Sequence, residues 1–226
     1  MAYCGEYTAV KWEDDHRIAV SLPCKAWTCA ECAPNRKLQL MAQVCAGKPN
    51  KFLTITLRRS EASTPEAAAK KLSHAWRLLR LRMMRLQKTK SIPFFAVFER
   101  HKSGWPHLHI TLRCKFISQR WIAAQMQDIC NSPICWIENI TSMSKLCGYI
   151  AKYMTKDPYK FGTSKRYWRS QDYDQSEEPE YKRNNKPGEG WEIWPVTLKQ
   201  FTANQIELGY TVEQTDWGTV IVRGGP

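Results

Sequence analysis

Apolar and polar positions alternate with a period of two in three stretches of the middle of the chain. Residues 51–57 carry Leu53, Ile55 and Leu57 on one side, 93–99 carry Phe94, Ala96 and Phe98, and 107–113 carry Leu108, Ile110 and Leu112. That period predicts strands with one buried face. Between the first two runs the period changes to 3.6: Leu72, Trp76, Leu79, Met83 and Leu86 line one side, and Arg77, Arg80, Arg82 and Arg85 take the rest, which predicts an amphipathic helix. Ser63 or Thr64 supplies its cap, Pro65 its first position and Glu66 an acid for its first turn. The helix is expected to reach Gln87. A second helix over 118–130, a short strand over 134–140 and a third helix over 141–156 follow. The resulting order, β-α-β-β-α-β, is a split βαβ arrangement of ferredoxin-like or RRM-like type. The fold class is therefore α+β: an antiparallel central sheet with helices on one face and the other face free for substrate.

The flanks read differently. Residues 157–195 are interrupted by Pro158, Gly162, Pro179, Pro187, Gly188 and Gly190, and acidic and basic runs alternate there, which predicts a long loop or a partly disordered segment. Thr197 caps an expected last helix to Leu208, and 210–213 with 218–222 can close a hairpin. Three segments result: a cysteine-rich N-terminal module (1–46), a central core (47–160) and a basic, aromatic extension with a helix and hairpin (161–226).

The alternation also places chemistry. In Trp105-Pro106-His107-Leu108-His109-Ile110 both imidazoles fall on one face of a strand. The preceding strand ends at Glu99, and a glycine-containing turn joins the two. An antiparallel hairpin with Glu99 opposite His107 puts Glu99, His107 and His109 together on the face away from Phe94, Ala96 and Phe98. Two imidazoles and a carboxylate converging in this way make a three-ligand divalent metal site with open positions; each histidine alone is equally at home as a satisfied strand residue. The third helix contains Tyr-x-x-Lys twice in tandem, in Tyr149-Ile150-Ala151-Lys152-Tyr153-Met154-Thr155-Lys156. At helical spacing Met143, Leu146, Cys147, Ile150 and Met154 form an apolar stripe, and Lys145, Tyr149, Lys152, Tyr153 and Lys156 an adjoining one. The two tyrosines lie one turn apart, so both hydroxyls can reach one place. In isolation they equally suit the border of a core, with the lysines a solvated face.

Taken together, His-hydrophobic-His on a strand, an upstream Glu and a later helix with paired tyrosines resemble the HUH endonuclease superfamily. The resemblance is strongest to two-tyrosine rolling-circle replication initiators of small single-stranded DNA phages and plasmids. Phe52-Leu53-Thr54-Ile55-Thr56-Leu57 looks like the family's first motif, the stretch from Glu99 to His109 like the second, and the stretch from Tyr149 to Lys156 like the third. Phe161-Gly-Thr-Ser-Lys-Arg-Tyr-Trp-Arg169 looks like a stretch that follows the third motif in phage members. The match covers residues 50–170 and includes no Walker A glycine loop.

The resemblance implies an enzyme that nicks and rejoins single-stranded DNA at a replication origin. Its implied metal, Mn²⁺ or Mg²⁺, sits on Glu99, His107 and His109. Tyr153 or Tyr149 is the implied nucleophile, forming a 5′-phosphotyrosine and freeing a 3′-OH for a host polymerase working with a host helicase. Lys152 and Lys156 would lower the phenol pKa or bind phosphate oxygens. Two alternatives stand beside this reading. One is the same chemistry in a transposase or relaxase of a mobile element; the other is a zinc-containing nucleic-acid-binding protein without catalysis.

Composition points the same way. Thirty-four Lys and Arg against twenty-one Asp and Glu leave a net +13 over 226 residues, which favours a polyanionic partner. Lys165-Arg166-Tyr167-Trp168-Arg169 interleaves cations with aromatics, as single-strand binding surfaces do, or as an aromatic cluster covering the core edge would. No basic-then-apolar leader opens the chain, and no apolar run approaches the ~18 residues of a membrane span; a cytoplasmic protein is expected. Nine cysteines, an odd number, argue against a disulfide scaffold. Cys24, Cys29 and Cys32 are spaced to wrap one Zn²⁺, with Cys4 or Cys45 completing four thiolates. Cys114, Cys130, Cys135 and Cys147 sit at apolar positions, as small hydrophobes do.

Overall fold

A computed structural model describes residues 4–150, 152, 158–174, 190–215 and 218–224. In chain order its elements are β1 (Thr8–Trp12), β2 (His16–Ser21), α1 (Cys32–Ala46), β3 (Lys51–Thr56), α2 (Pro65–Gln87), β4 (Phe94–Arg100), β5 (Pro106–Leu112), α3 (Gln119–Cys130), β6 (Cys135–Asn139), α4 (Met143–Tyr149), β7 (Tyr167–Arg169), β8 (Trp191–Trp194), α5 (Leu198–Glu207), β9 (Thr211–Gln214) and β10 (Thr219–Arg223). The chain divides into two compact units, 1–38 with 178–226, and 39–177. The sequence divided it at 46 and 160 instead. The terminal segments share a unit because β1 pairs with β8 and β2 with β10.

The second unit is built on an antiparallel sheet in the order β6-β3-β5-β4-β7. Without β7 this is the expected split βαβ sheet: the first-formed strand β3 lies between β6 and β5, and the β4–β5 hairpin extends it. Leu53, Ile55, Ala96, Phe98, Leu108 and Ile110 turn to one face and are buried against Leu72, Trp76, Leu79 and Met83 of α2 and Ile122 and Met126 of α3. Burial of these side chains contributes about 1.5–3 kcal/mol each before chain entropy is counted. α2 starts where its capping signals put it, with the Thr64 hydroxyl accepting from the Ala67 N–H. α3 is capped in the same way by Ser118.

The opposite face is free over only part of its area. Tyr173 is fully buried on it, its ring 5.7 Å from that of Phe95. The Tyr173 hydroxyl donates to the Val44 carbonyl and pairs with Thr111 Oγ1, each at 2.8 Å. Arg113 donates to the carbonyls of Tyr173 (2.8 Å) and Asp172 (2.9 Å) and to that of Gly47. The segment after β7 is thereby pinned across the sheet, where the sequence predicted only loop. The remaining open area lies at the other end of the strands, around the histidines.

The tyrosine-bearing helix also departs from expectation. α4 ends at Tyr149, and Ile150 and Lys152 adopt π-helical geometry, so the uninterrupted α-helix expected over 141–156 does not form.

The first unit is a second antiparallel sheet, β8-β1-β2-β10-β9. Val10, Ala19, Val220 and Val222 bury one face against Phe201 of α5. α5 opens on a capping box of Thr197 and Gln200, and β9 and β10 form the expected hairpin. On the same face as Val10, Arg17 lies 3.9 Å from the Trp12 ring and 4.5 Å from the Tyr210 ring, and donates to Gln205 Oε1 and Tyr210 Oη. No described helix is long and apolar enough to cross a membrane.

Candidate active site and a cysteine cluster

Three strands of the second unit bring the site together by register. Glu99 pairs with His107 across β4 and β5, and Thr54 pairs with His109 across β3 and β5. Alternation then turns Thr54, Glu99, His107 and His109 to the face opposite α2 and α3. Glu99 Oε2 lies 2.6 Å from His109 Nε2, and Thr54 Oγ1 lies 2.9 Å from His109 Nδ1. The ring is only 3% exposed, and a neighbour at each nitrogen fixes its plane.

His107 is placed differently. Its ring stacks on His101 at 4.9 Å and 10°, and its centroid is 6.3 Å from that of His109. Removal from water, with His109 and His101 adding to it and Glu99 opposing, lowers its pKa to about 4. The imidazole is therefore neutral near pH 7 and keeps a nitrogen lone pair for a ligand. Among the described residues, the cysteine quartet alone groups three or more His, Cys, Asp or Glu donor atoms mutually within 4.8 Å. Glu99, His107 and His109 share a face without closing to that distance.

Tyr149 joins them through Phe52. The two rings stack at 4.8 Å and 8°, and Phe52 also stacks on His109 at 5.7 Å and 21°. These groups line a cleft of about 810 Å³, whose other walls are Arg100, His101, Lys102 and Gly104 on the β4–β5 turn and Trp136 and Glu138 on β6. The cleft thus combines a carboxylate, imidazoles, a phenol, aromatic faces and cations, a set able to hold a cation and a phosphodiester together.

Of the other expected site residues, Lys152 is exposed; Tyr153 and Lys156 lie outside the described residues. In the basic aromatic stretch, Trp168 packs against the core with its ring 5.4 Å from Phe98, and Tyr167 stacks on Phe95 at 5.8 Å. Arg166 donates to the Pro158 carbonyl, and Arg169 pairs with Asp174 at 2.9 Å; Lys165 is exposed. Phe52, Thr54, His101 and Trp136 had no individual role in the sequence reading. Parity could have found the first two, since 51–57 alternates in step with the histidine strand.

In the first unit, Cys4, Cys24, Cys29 and Cys32 converge with every Sγ within 4.8 Å of the others. Cys4 lies 3.3 Å and Cys24 3.8 Å from Cys32; four thiolates on a tetrahedral zinc, at about 2.3 Å each, stand about 3.8 Å apart. The cluster can hold a metal such as zinc. A backbone N–H donated by Cys32 lowers the pKa of Cys29 to about 7, assisted by Cys24 and Cys4 against the effect of burial. Of the two candidates for the fourth thiolate, Cys4 takes the place; Cys45 belongs to the other unit, where burial and then Cys147 raise its pKa. Cys114 and Cys135 pack at the edge of the core and burial pushes both thiols up to about 11. Cys130 is buried and donates to the Met126 carbonyl.

Residues 50–158 match a family of replication-associated proteins, the ORF2 type. The matched span begins at β3 and takes in the histidine hairpin and α4. Neither a curated protein nor a solved structure matches the chain.

Proposed function

We propose that this protein initiates replication by nicking and rejoining single-stranded DNA at an origin through a covalent tyrosine intermediate. The observation that carries the reading is the meeting of Glu99, His107, His109 and Tyr149 on one cleft, within a span similar to replication-associated proteins. Glu99, His107 and His109 would hold Mn²⁺ or Mg²⁺. The donor set fits: one carboxylate and two imidazoles, one of them neutral and the other oriented by Thr54. When bound, the cation polarises the scissile phosphate and offsets the charge that builds on it.

Tyr149 or Tyr153 supplies the nucleophile. Its phenolic oxygen bonds to phosphorus, the bond from phosphorus to the 3′-oxygen breaks, and that oxygen takes a proton to become the 3′-OH from which a host polymerase extends. The phenol loses its own proton, and because a free phenol has a pKa near 10, Lys152 or Lys156 assists by stabilising the phenolate. The link conserves the energy of the phosphodiester, so attack by a 3′-OH reverses the step and closes a circle. Two tyrosines let one hold the cut end while the other cuts again. Phe52 keeps the Tyr149 ring beside His109, and Arg100 and Lys102 attract the backbone. Origin DNA, a host helicase and a host polymerase are the partners of such an enzyme, and the host cytoplasm its compartment.

The test is covalent capture. Single-stranded origin DNA, or a randomised pool, is incubated with the protein in Mn²⁺ or in EDTA, resolved on denaturing gels and mapped by peptide mass spectrometry. A Mn²⁺-dependent adduct on Tyr149 or Tyr153 is expected. DNA that is bound without any adduct would overturn the enzyme in favour of a zinc-containing binding protein. An adduct restricted to one tyrosine, on DNA with an imperfect hairpin end, would point to a transposase or relaxase.

A further inference from the structure

The indole of Trp136 stands out in the second unit. It is 56% exposed although Trp is usually well covered, and among the described residues its ring stacks on no other aromatic group. Trp136 pairs in register with Thr54, which pairs in turn with His109. Its side chain therefore rises from the same sheet face as the histidines, two strands away, about 10 Å along the pairing direction. Its plane is held, because Nε1–H donates to the Glu138 carboxylate two residues further along β6. Both residues line the cleft.

Charge divides that cleft. Arg100 and Lys102 lie on the β4–β5 turn, whereas the wall around Trp136 carries the Glu138 carboxylate. A phosphate is repelled from the Glu138 side and attracted to the other. An uncharged flat group suits the exposed indole, and a nucleobase has such a face. Single-stranded nucleic acid is bound in this way, with cations along the backbone and aromatic rings under the bases.

We infer that Trp136 is a base-stacking subsite: it takes one nucleobase next to the scissile phosphate of a single-stranded DNA, with Glu138 orienting the indole and excluding the backbone from that wall. The inference rests on the proposed nickase for its substrate, yet it concerns binding and is read without catalysis.

The experiment measures fluorescence anisotropy of labelled single-stranded DNA in EDTA, using origin DNA or an oligonucleotide in which one abasic site is moved along the strand. With the full-length wild type, removing one particular base is expected to weaken binding roughly 10-fold, as loss of a single stacked base does. Trp136→Ala weakens binding of the intact strand by a similar factor and is then indifferent to the abasic site at that position. Trp136→Phe retains most of the affinity and the sensitivity. Glu138→Gln removes the orienting charge and is expected to lower the position dependence. If Trp136→Ala binds as tightly as the wild type, or remains sensitive to the same abasic site, the subsite is overturned while the covalent-capture result stands. A wild type that binds no single-stranded DNA overturns the subsite and the substrate reading together. A wild type that binds with the expected Trp136 dependence but forms no adduct supports the subsite and removes the nickase.

Discussion

At the scale of single residues the site depends on Thr54. Its hydroxyl is not itself an expected ligand, yet it holds the His109 ring through Nδ1. Groups that orient a ligand in this way are typically worth 10- to 100-fold in metal affinity. Thr54→Val is therefore expected to raise the Mn²⁺ concentration that half-saturates cleavage by about that factor, with Thr54→Ser restoring most of it; titration of cleavage against Mn²⁺ reads both. An unchanged requirement would show that Thr54 does not orient a ligand. The face shared by Glu99, His107 and His109 was legible because alternation is rigid: a strand cannot turn one histidine in and the next-but-one out. Thr54, Phe52 and Trp136 were less legible because they come from β3 and β6, whose registers follow from long-range pairing. The hydrogen bond between Glu99 and His109, and the stacking of His107 on His101, are side-chain choices that no periodicity specifies.

Among the elements, the segment that follows β7 most changes the picture drawn from sequence. Gly47 lies so close under Tyr173 that a Cβ there would collide with the ring. The ring cannot swing aside, since its hydroxyl is bonded to Val44 and Thr111 and the adjoining backbone to Arg113. Gly47→Ala is expected to cost at least the roughly 1–3 kcal/mol of an overpacked core, read as a lower urea midpoint. Tyr173→Phe removes the bonds without a clash and should lose about 1–3 kcal/mol. If Gly47→Ala left the midpoint unchanged, the segment would not be docked there. The element boundaries were legible wherever capping chemistry marks them, as Thr64, Ser118 and Thr197 do. They were illegible where partners are distant: β7 has three residues and a composition that suits a DNA-binding loop equally well. In β1 and β2, apolar residues on both faces, such as Ala9 with Val10 and Ile18 with Ala19, erase the alternation that would have announced strands.

On the scale of the whole molecule, two kinds of chemistry are kept apart, thiolates in one unit and the imidazole and carboxylate site in the other. Elemental analysis of protein purified without chelator is expected to give one zinc per chain, and Cys24→Ser should lose it while Glu99→Gln keeps it. Retention of full zinc by Cys24→Ser would reject the cysteine cluster as the binding site. The net charge of +13 should make single-strand affinity fall as salt rises. Replacing Arg100 or Lys102 with Gln should shrink the logarithmic slope by about 0.7 for each phosphate contact removed.

The discontinuous sheet imposes an order of events. Because β10 closes on β2 and β8 on β1, the first unit needs strands separated by the whole of residues 39–177, whereas the second unit is a single uninterrupted stretch. A chain leaving the ribosome from its N-terminus can finish the histidine sheet while β1 and β2 still await their partners. During that interval the early hairpin has two unpaired edges, and edges of that kind invite pairing with other chains. A metal gathered early by the thiolates at positions 4 to 32 would hold that hairpin's neighbourhood together until the late strands arrive, giving the cysteine cluster a role in the timing of folding as well as in its final stability.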